Sequence, residues 1–163
     1  MPETLPGYQM ISDAVRDADD LAAYFWDPEE TLVRLDAWTW VEQAEREFAD
    51  GDVVIDVSIH TFEMAAGALL AGDWFRKRRS SDLGLESAPA PKLQFPRSSE
   101  QVRLFASANA DEYSLFLVHG TMVGRVTVNG PAGDPTLPAV ASWTVQQILE
   151  QVPYKGGPAS TIP

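Results

Sequence analysis

The run Val53-Val54-Ile55-Asp56-Val57-Ser58-Ile59-His60-Thr61-Phe62 limits what this chain can fold into more than any other segment. Val53, Ile55, Val57 and Ile59 alternate with Asp56, Ser58 and His60, a period of two that belongs to a strand with one buried face. Asp50-Gly51, just before it, is a hairpin turn signal. The preceding segment, Trp38 to Phe48, fits two patterns. Ala37, Val41, Ala44 and Phe48 form a helical stripe, and Trp38, Trp40, Ala44 and Phe48 the even face of a strand. The turn at Asp50-Gly51 favours the strand.

Around this hairpin the chain alternates between helical and extended patterns. Residues 1–11 hold two prolines and a glycine and read as extended. Asp17 to Phe25 reads as a short helix with Leu21, Ala22 and Phe25 on one side. Asp27-Pro28-Glu29-Glu30 supplies an N-cap acid, proline at the first helical position and glutamate at the third, so a helix should run to Ala37. It should bury Leu32 and Leu35 or Val33. Thr61 should cap a helix over 62–78, with Ala65, Ala68, Leu69, Gly72 and Phe75 in its stripe. The Ser- and Pro-rich stretch 79–99 reads as a long surface loop. Three strands follow over 101–107, 112–119 and 121–128, and a closing helix over 138–152. Hairpin-linked strands with intervening helices predict an α+β domain. Its sheet should have roughly five, mainly antiparallel strands, with helices packed largely on one face. Residues 1–152 read as one domain and 153–163 as a disordered, linker-like tail.

Composition narrows the function classes. The chain has 163 residues, enough for one domain with its own core. Twelve basic against twenty-four acidic residues give a net charge of −12. That surface repels phosphate backbones and anionic headgroups, which argues against nucleic acid and membrane surfaces as partners. No apolar run approaches the length of a membrane span. The absence of cysteine removes disulfides, thiolate metal sites and thiol nucleophiles.

Few residues remain to carry chemistry. His60 and His119 are the two histidines. Without cysteine or an HExxH pattern they do not make a zinc site, and Asp50-Gly51-Asp52 is too short for a calcium loop. No phosphate-binding glycine loop is present. Asp56, Ser58 and His60 invite comparison with a catalytic triad. Alternate residues on one strand sit ~6.6–6.8 Å apart with side chains roughly parallel, so a relay would require a bend. The plainer reading is the polar face of an amphipathic strand. If that face were roofed, Asp56, Ser58 and His60 would line a ligand pocket, and they are the candidate ligand-binding residues. Arg76-Lys77-Arg78-Arg79 suits the last turn of a helix, where cations complement the dipole. The five tryptophans read mainly as core.

Two resemblances follow from these segments. The pattern Asp27-Pro28-Glu29-Glu30, Leu35-Asp36-Ala37-Trp38-Thr39-Trp40, Arg46-Glu47-Phe48 and Asp56-Val57-Ser58-Ile59-His60-Thr61-Phe62 resembles uncharacterised bacterial extracytoplasmic domains, many of them secreted proteins or lipoproteins. The run from Tyr113 to Val126 is similar to their closing hairpin, and the order of elements looks Mog1/PsbP-like. This implies a non-catalytic, cofactor-free domain that binds a small molecule or protein outside the cytoplasm, as part of a longer precursor. The strand–helix–strand rhythm is also similar to ferredoxin-like dimeric α+β barrels. That alternative implies a small cofactor-free enzyme, cytoplasmic or not, with His60 or His119 in a sheet-lined pocket.

Overall fold

In the computed structural model, which describes residues 3–82, 84, 86–88 and 101–151, the chain builds one antiparallel sheet of seven strands and four helices. β1 (Gln9–Arg16), β2 (Trp40–Asp50) and β3 (Val53–Phe62) form one meander. β4 (Glu86–Ala88), β5 (Gln101–Ala106), β6 (Glu112–His119) and β7 (Met122–Asn129) form a second. The two halves join where β3 pairs with β7, giving the order β1-β2-β3-β7-β6-β5-β4. β1 lies at the sheet edge and pairs only with β2, antiparallel, so the sheet lacks the split βαβ pairing of a ferredoxin-like fold. The tail 153–163 lies outside the described residues.

Two strands exceed the five expected, and each has a local reason. β1 falls where the sequence shows no alternation, because Ile11 is an extra residue between the Met10–Phe48 and Ser12–Glu47 pairs. A bulge of this kind moves the apolar residues out of step with a period of two. β4 is a three-residue edge strand inside the stretch read as loop. Residues 79–82 of that stretch continue α3, and 83, 85 and 89–99 lie outside the described residues.

The expectation that helices pack largely on one face needs correction. α1 (Ala18–Ala22), α2 (Pro28–Ala37) and α3 (Ala65–Asp82) share one face, and α4 (Leu137–Gln151) covers the other. The burial pattern of β3 requires two covers. Ile55, Val57 and Ile59 join Phe48, Leu115, Leu117, Val126 and Val128 under Leu137, Ala141, Val145 and Ile148 of α4. On the opposite face Phe62, Val118 and Val123 pack against Trp38 and against Ala68 and Ala71 of α3. Burial of each such aliphatic or aromatic side chain contributes roughly 1.5–3 kcal/mol, so both layers are needed.

α2 begins as its sequence dictates. Glu30 N donates to Asp27 Oδ1 at 2.9 Å, and Pro28 occupies the first helical position. The capping box is half made, however, because the Glu30 carboxylate accepts from Arg34 one turn later. Leu35 is buried, as expected, whereas Val33 is exposed. Asp27→Ala should therefore lower stability by about 1 kcal/mol, measurable as a shifted urea midpoint with unchanged slope. α3 starts three residues later than expected, since Phe62 continues β3 opposite Trp40.

Candidate functional site

The face beneath α1–α3 is laid out in rows by the strand register. One row runs Arg16, Gln43, His60, Val123 across β1, β2, β3 and β7. The next runs Glu45, Ser58, Arg125, Phe116 across β2, β3, β7 and β6. Residues at alternate positions of different strands are thus brought side by side. α1 and the segment after it contribute Leu21, Tyr24, Phe25 and Trp26, and α3 contributes Phe75 and Arg78. Between this roof and the sheet lies a cavity of about 920 Å³, at the upper end of the size usual for small-molecule sites.

Its floor is a buried polar network. Trp40 Nε1 donates to His60 Nδ1 at 3.3 Å, His60 Nε2 faces Ser58 Oγ at 3.4 Å, and Gln43 Nε2 donates to Ser58 Oγ at 2.8 Å. Trp40 reaches His60 because the register shifts between Trp40 and Glu42, placing Val41 in a bulge. That shift moves Trp40 from the parity of Ala44 and Phe48 to the face of Gln43. The His60 ring stacks on Phe75, with centroids 4.3 Å apart. Burial, aided by the charges of Arg125 and Arg16, lowers its pKa to about 3. The ring is neutral, and since Nδ1 accepts from Trp40 its proton resides on Nε2.

Beside this network sits a charged cluster. Glu45 lies between Arg16, to which it is hydrogen-bonded, and Arg125, whose Nη2 is 3.6 Å away. Arg125 Nη2 also donates to Asp56 Oδ1 at 2.6 Å. Arg16 lies 4.9 Å from the Tyr24 ring centroid, and Arg78 stands over Phe25 and Trp74 at 5.4 and 5.5 Å. Two buried side-chain atoms have no hydrogen-bond partner among the described residues, Gln43 Oε1 and Arg125 Nε, and both residues line the cavity.

The three candidate residues therefore share a face but not a role. His60 lines the cavity. Ser58 is buried behind Gln43, and Asp56 stands one row further on, anchoring Arg125. Ser58 and His60 do approach each other, closer than strand spacing alone suggests, because their side chains lean together. Asp56 is no third member of a relay, as Trp40 occupies the ring nitrogen that a triad acid would take. His119 ends β6 and does not line the cavity. Sequence reasoning missed Arg16, Gln43, Glu45, Arg125 and the aromatic roof. The one available signal was a conspicuous Tyr24-Phe25-Trp26 triplet just before the cap of α2.

Of the basic cluster, Arg76 and Lys77 pair with Asp73 on their own helix, and Arg78 turns to the cavity. Trp38 and Trp40 both join the layer beneath α3, and Trp74 packs with them. Trp26 does not fit the core reading, being 94% exposed at the cavity rim. Among the described residues no cluster of three or more His, Asp or Glu is placed to hold a metal ion. No described helix is long and apolar enough to cross a membrane.

No protein-family model matches this chain, and no curated protein matches it. Among solved structures it is similar to the crystal structure of the extracellular domain of PknH from Mycobacterium tuberculosis, at 10% identity over 88% of this chain and 84% of that one, with a TM-score of 0.47.

Proposed function

We propose that this chain is a non-catalytic ligand-binding domain that works outside the cytoplasm and takes a small molecule between the sheet and α1–α3. The observation that carries the reading is the pair of unpartnered atoms, Gln43 Oε1 and Arg125 Nε, on residues lining one roomy cavity. A buried polar atom without a partner costs about 1–3 kcal/mol, so a ligand that supplies both partners recovers that cost on binding. The resemblance carried by Asp27–Phe62 supports the extracytoplasmic part. In this reading His60 and Ser58 form the rigid floor and Asp56 holds Arg125 in place.

The chemistry of His60 weighs against the enzyme alternative. A general base works best with a pKa near the operating pH, and the His60 pKa is about 3 with both ring nitrogens engaged. Ser58 is 1% exposed and already accepts from Gln43, so it is poorly placed as a nucleophile.

The rim supplies the test. Trp26 is 94% exposed, and a ligand seated in the cavity covers it. Protein purified gently from its own host should show a small-molecule adduct by native mass spectrometry. Release of that adduct should shift Trp26 emission to the red and raise its quenching by iodide. Trp26→Phe should abolish the emission change and leave the adduct in place. A bare mass, with Trp26 quenching unaffected by the host's small-molecule extract, would overturn the reading. Protease shaving of intact cells checks the location, with a resistant chain counting against it.

A further inference from the structure

We propose that the ligand is an organic anion with a broad apolar body and an O–H or N–H group beside its charge. This rests on the cavity being a binding site and names what that site selects. Three of the nine arginines in the chain, Arg16, Arg78 and Arg125, line the cavity against one acid, Glu45. The protein as a whole carries −12. Glu45 and Asp56 offset Arg16 and Arg125, so the lining bears none of the molecule's excess negative charge, and low-dielectric walls concentrate the field of the guanidiniums.

Each unmet atom specifies a part of the ligand. Arg125 Nε is a buried donor without an acceptor among the described residues, beside Glu45 and Asp56, which engage the other end of the guanidinium. A carboxylate or sulfonate oxygen satisfies it with a charge-assisted bond, stronger than one to a neutral acceptor. Gln43 is 5% exposed, and its Oε1 is a buried acceptor without a donor among the same residues, because Nε2 is committed to Ser58. An O–H or N–H near the anionic group satisfies it. A neutral His60 between Gln43 and Phe75 adds no charge to the floor. The remaining surface, Tyr24, Phe25, Trp26, Phe75 and Phe116, is aromatic and accepts a wide apolar body.

Two dyes separate these features. 8-Anilinonaphthalene-1-sulfonate carries two aromatic groups, an N–H and an adjacent sulfonate, and N-phenyl-1-naphthylamine is the same body without the sulfonate. Fluorescence titration of the folded wild-type chain should give one site per chain for the sulfonate, with a Kd at least about tenfold lower than that of the neutral dye. The preference should shrink with added salt. Arg125→Met made together with Asp56→Asn removes both charges of the pair, and it should bring the two affinities within about twofold. If near-UV circular dichroism shows that this variant does not fold, Arg16→Gln with Glu45→Gln replaces it, with a reduced preference expected. Equal affinities in the wild type overturn the anion assignment and leave the cavity standing as a neutral site. A sulfonate preference that survives both variants overturns it too, because the charge is then read elsewhere. No saturable binding of either dye overturns the cavity reading itself.

Discussion

Between pH 6.5 and pH 3 the folded protein should lose stability on the order of 5 kcal/mol through His60 alone. His60 is buried, and its pKa falls from 6.5 to about 3, first from desolvation and then from the charges of Arg125 and Arg16. The unfolded chain takes up a proton as the pH drops through 6.5, whereas the folded chain refuses it until about pH 3. Unfolding is therefore favoured by about 1.4 kcal/mol for each pH unit in that window, and by nothing above it. His60→Phe isolates the histidine. Its urea-derived stability between pH 7 and pH 4.5 should fall less steeply than that of the wild type by the amount assigned to His60. Identical slopes in the two proteins would mean that His60 is not held neutral. The consequence for the site is that its floor keeps one charge state across the range in which an exposed histidine titrates.

Gly67→Ala should destabilise the protein by about 3 kcal/mol, lowering Tm by roughly 6–12 °C. In an exposed helix the same change would stabilise by about 1 kcal/mol, because glycine is the poorer helix former. The expected sign is reversed here by one contact. A β-carbon at Gly67 would stand 1.8 Å from the Trp38 carbonyl oxygen and 2.8 Å from its carbonyl carbon. Both atoms are backbone, so neither can turn aside. The peptide that would have to move joins α2 to β2 through Thr39, which already sits at a left-handed φ of 56°. Glu63 N also donates to Thr39 O at 2.9 Å, tying the start of α3 to the same point. Because α3 carries Phe75 and Arg78 over the cavity, the variant should weaken ligand binding as well. Ala66→Gly, at an exposed neighbouring position, serves as the comparison and should cost only about 1 kcal/mol. A Gly67→Ala protein as stable as the wild type would show that α3 can lift from the α2–β2 junction without loss.

Elements with an unbroken local pattern, an alternation in β3, an apolar run in β6 and a capped start in α2, are legible in the amino-acid sequence. β3 and β6 occupy the spans read from Val53–Phe62 and Glu112–His119, and α2 the span set by Asp27, Pro28 and Ala37. Each has a single local pattern that agrees with its tertiary use. β1 is hidden because its bulge at Ile11 breaks the period and because an edge strand needs little apolar content. The spacing of Trp38 and Trp40 predicts one shared strand face. They do meet in one layer, but Trp38 caps α2 and Trp40 reaches that layer through a bulge. The second cover, α4, is visible as a helix, yet nothing in its own pattern states which face of the sheet it takes.

The sequence by itself determined the class of the molecule: its α+β composition, its hairpins, the capped start of α2 and a polar face on β3 holding Asp56, Ser58 and His60. These follow from the spacing of residues within one segment, where the chain's own geometry places side chains. The site was decided by tertiary structure. Arg16, Gln43, His60 and Val123 become neighbours only through three strand pairings, and Trp40 joins them through the bulge at Val41. The neutrality of His60 depends on α3 excluding water from its ring, and the unmet atoms of Gln43 and Arg125 on which partners packing leaves within reach. Register and burial are collective properties of the folded sheet and its cover, and no local spacing encodes them.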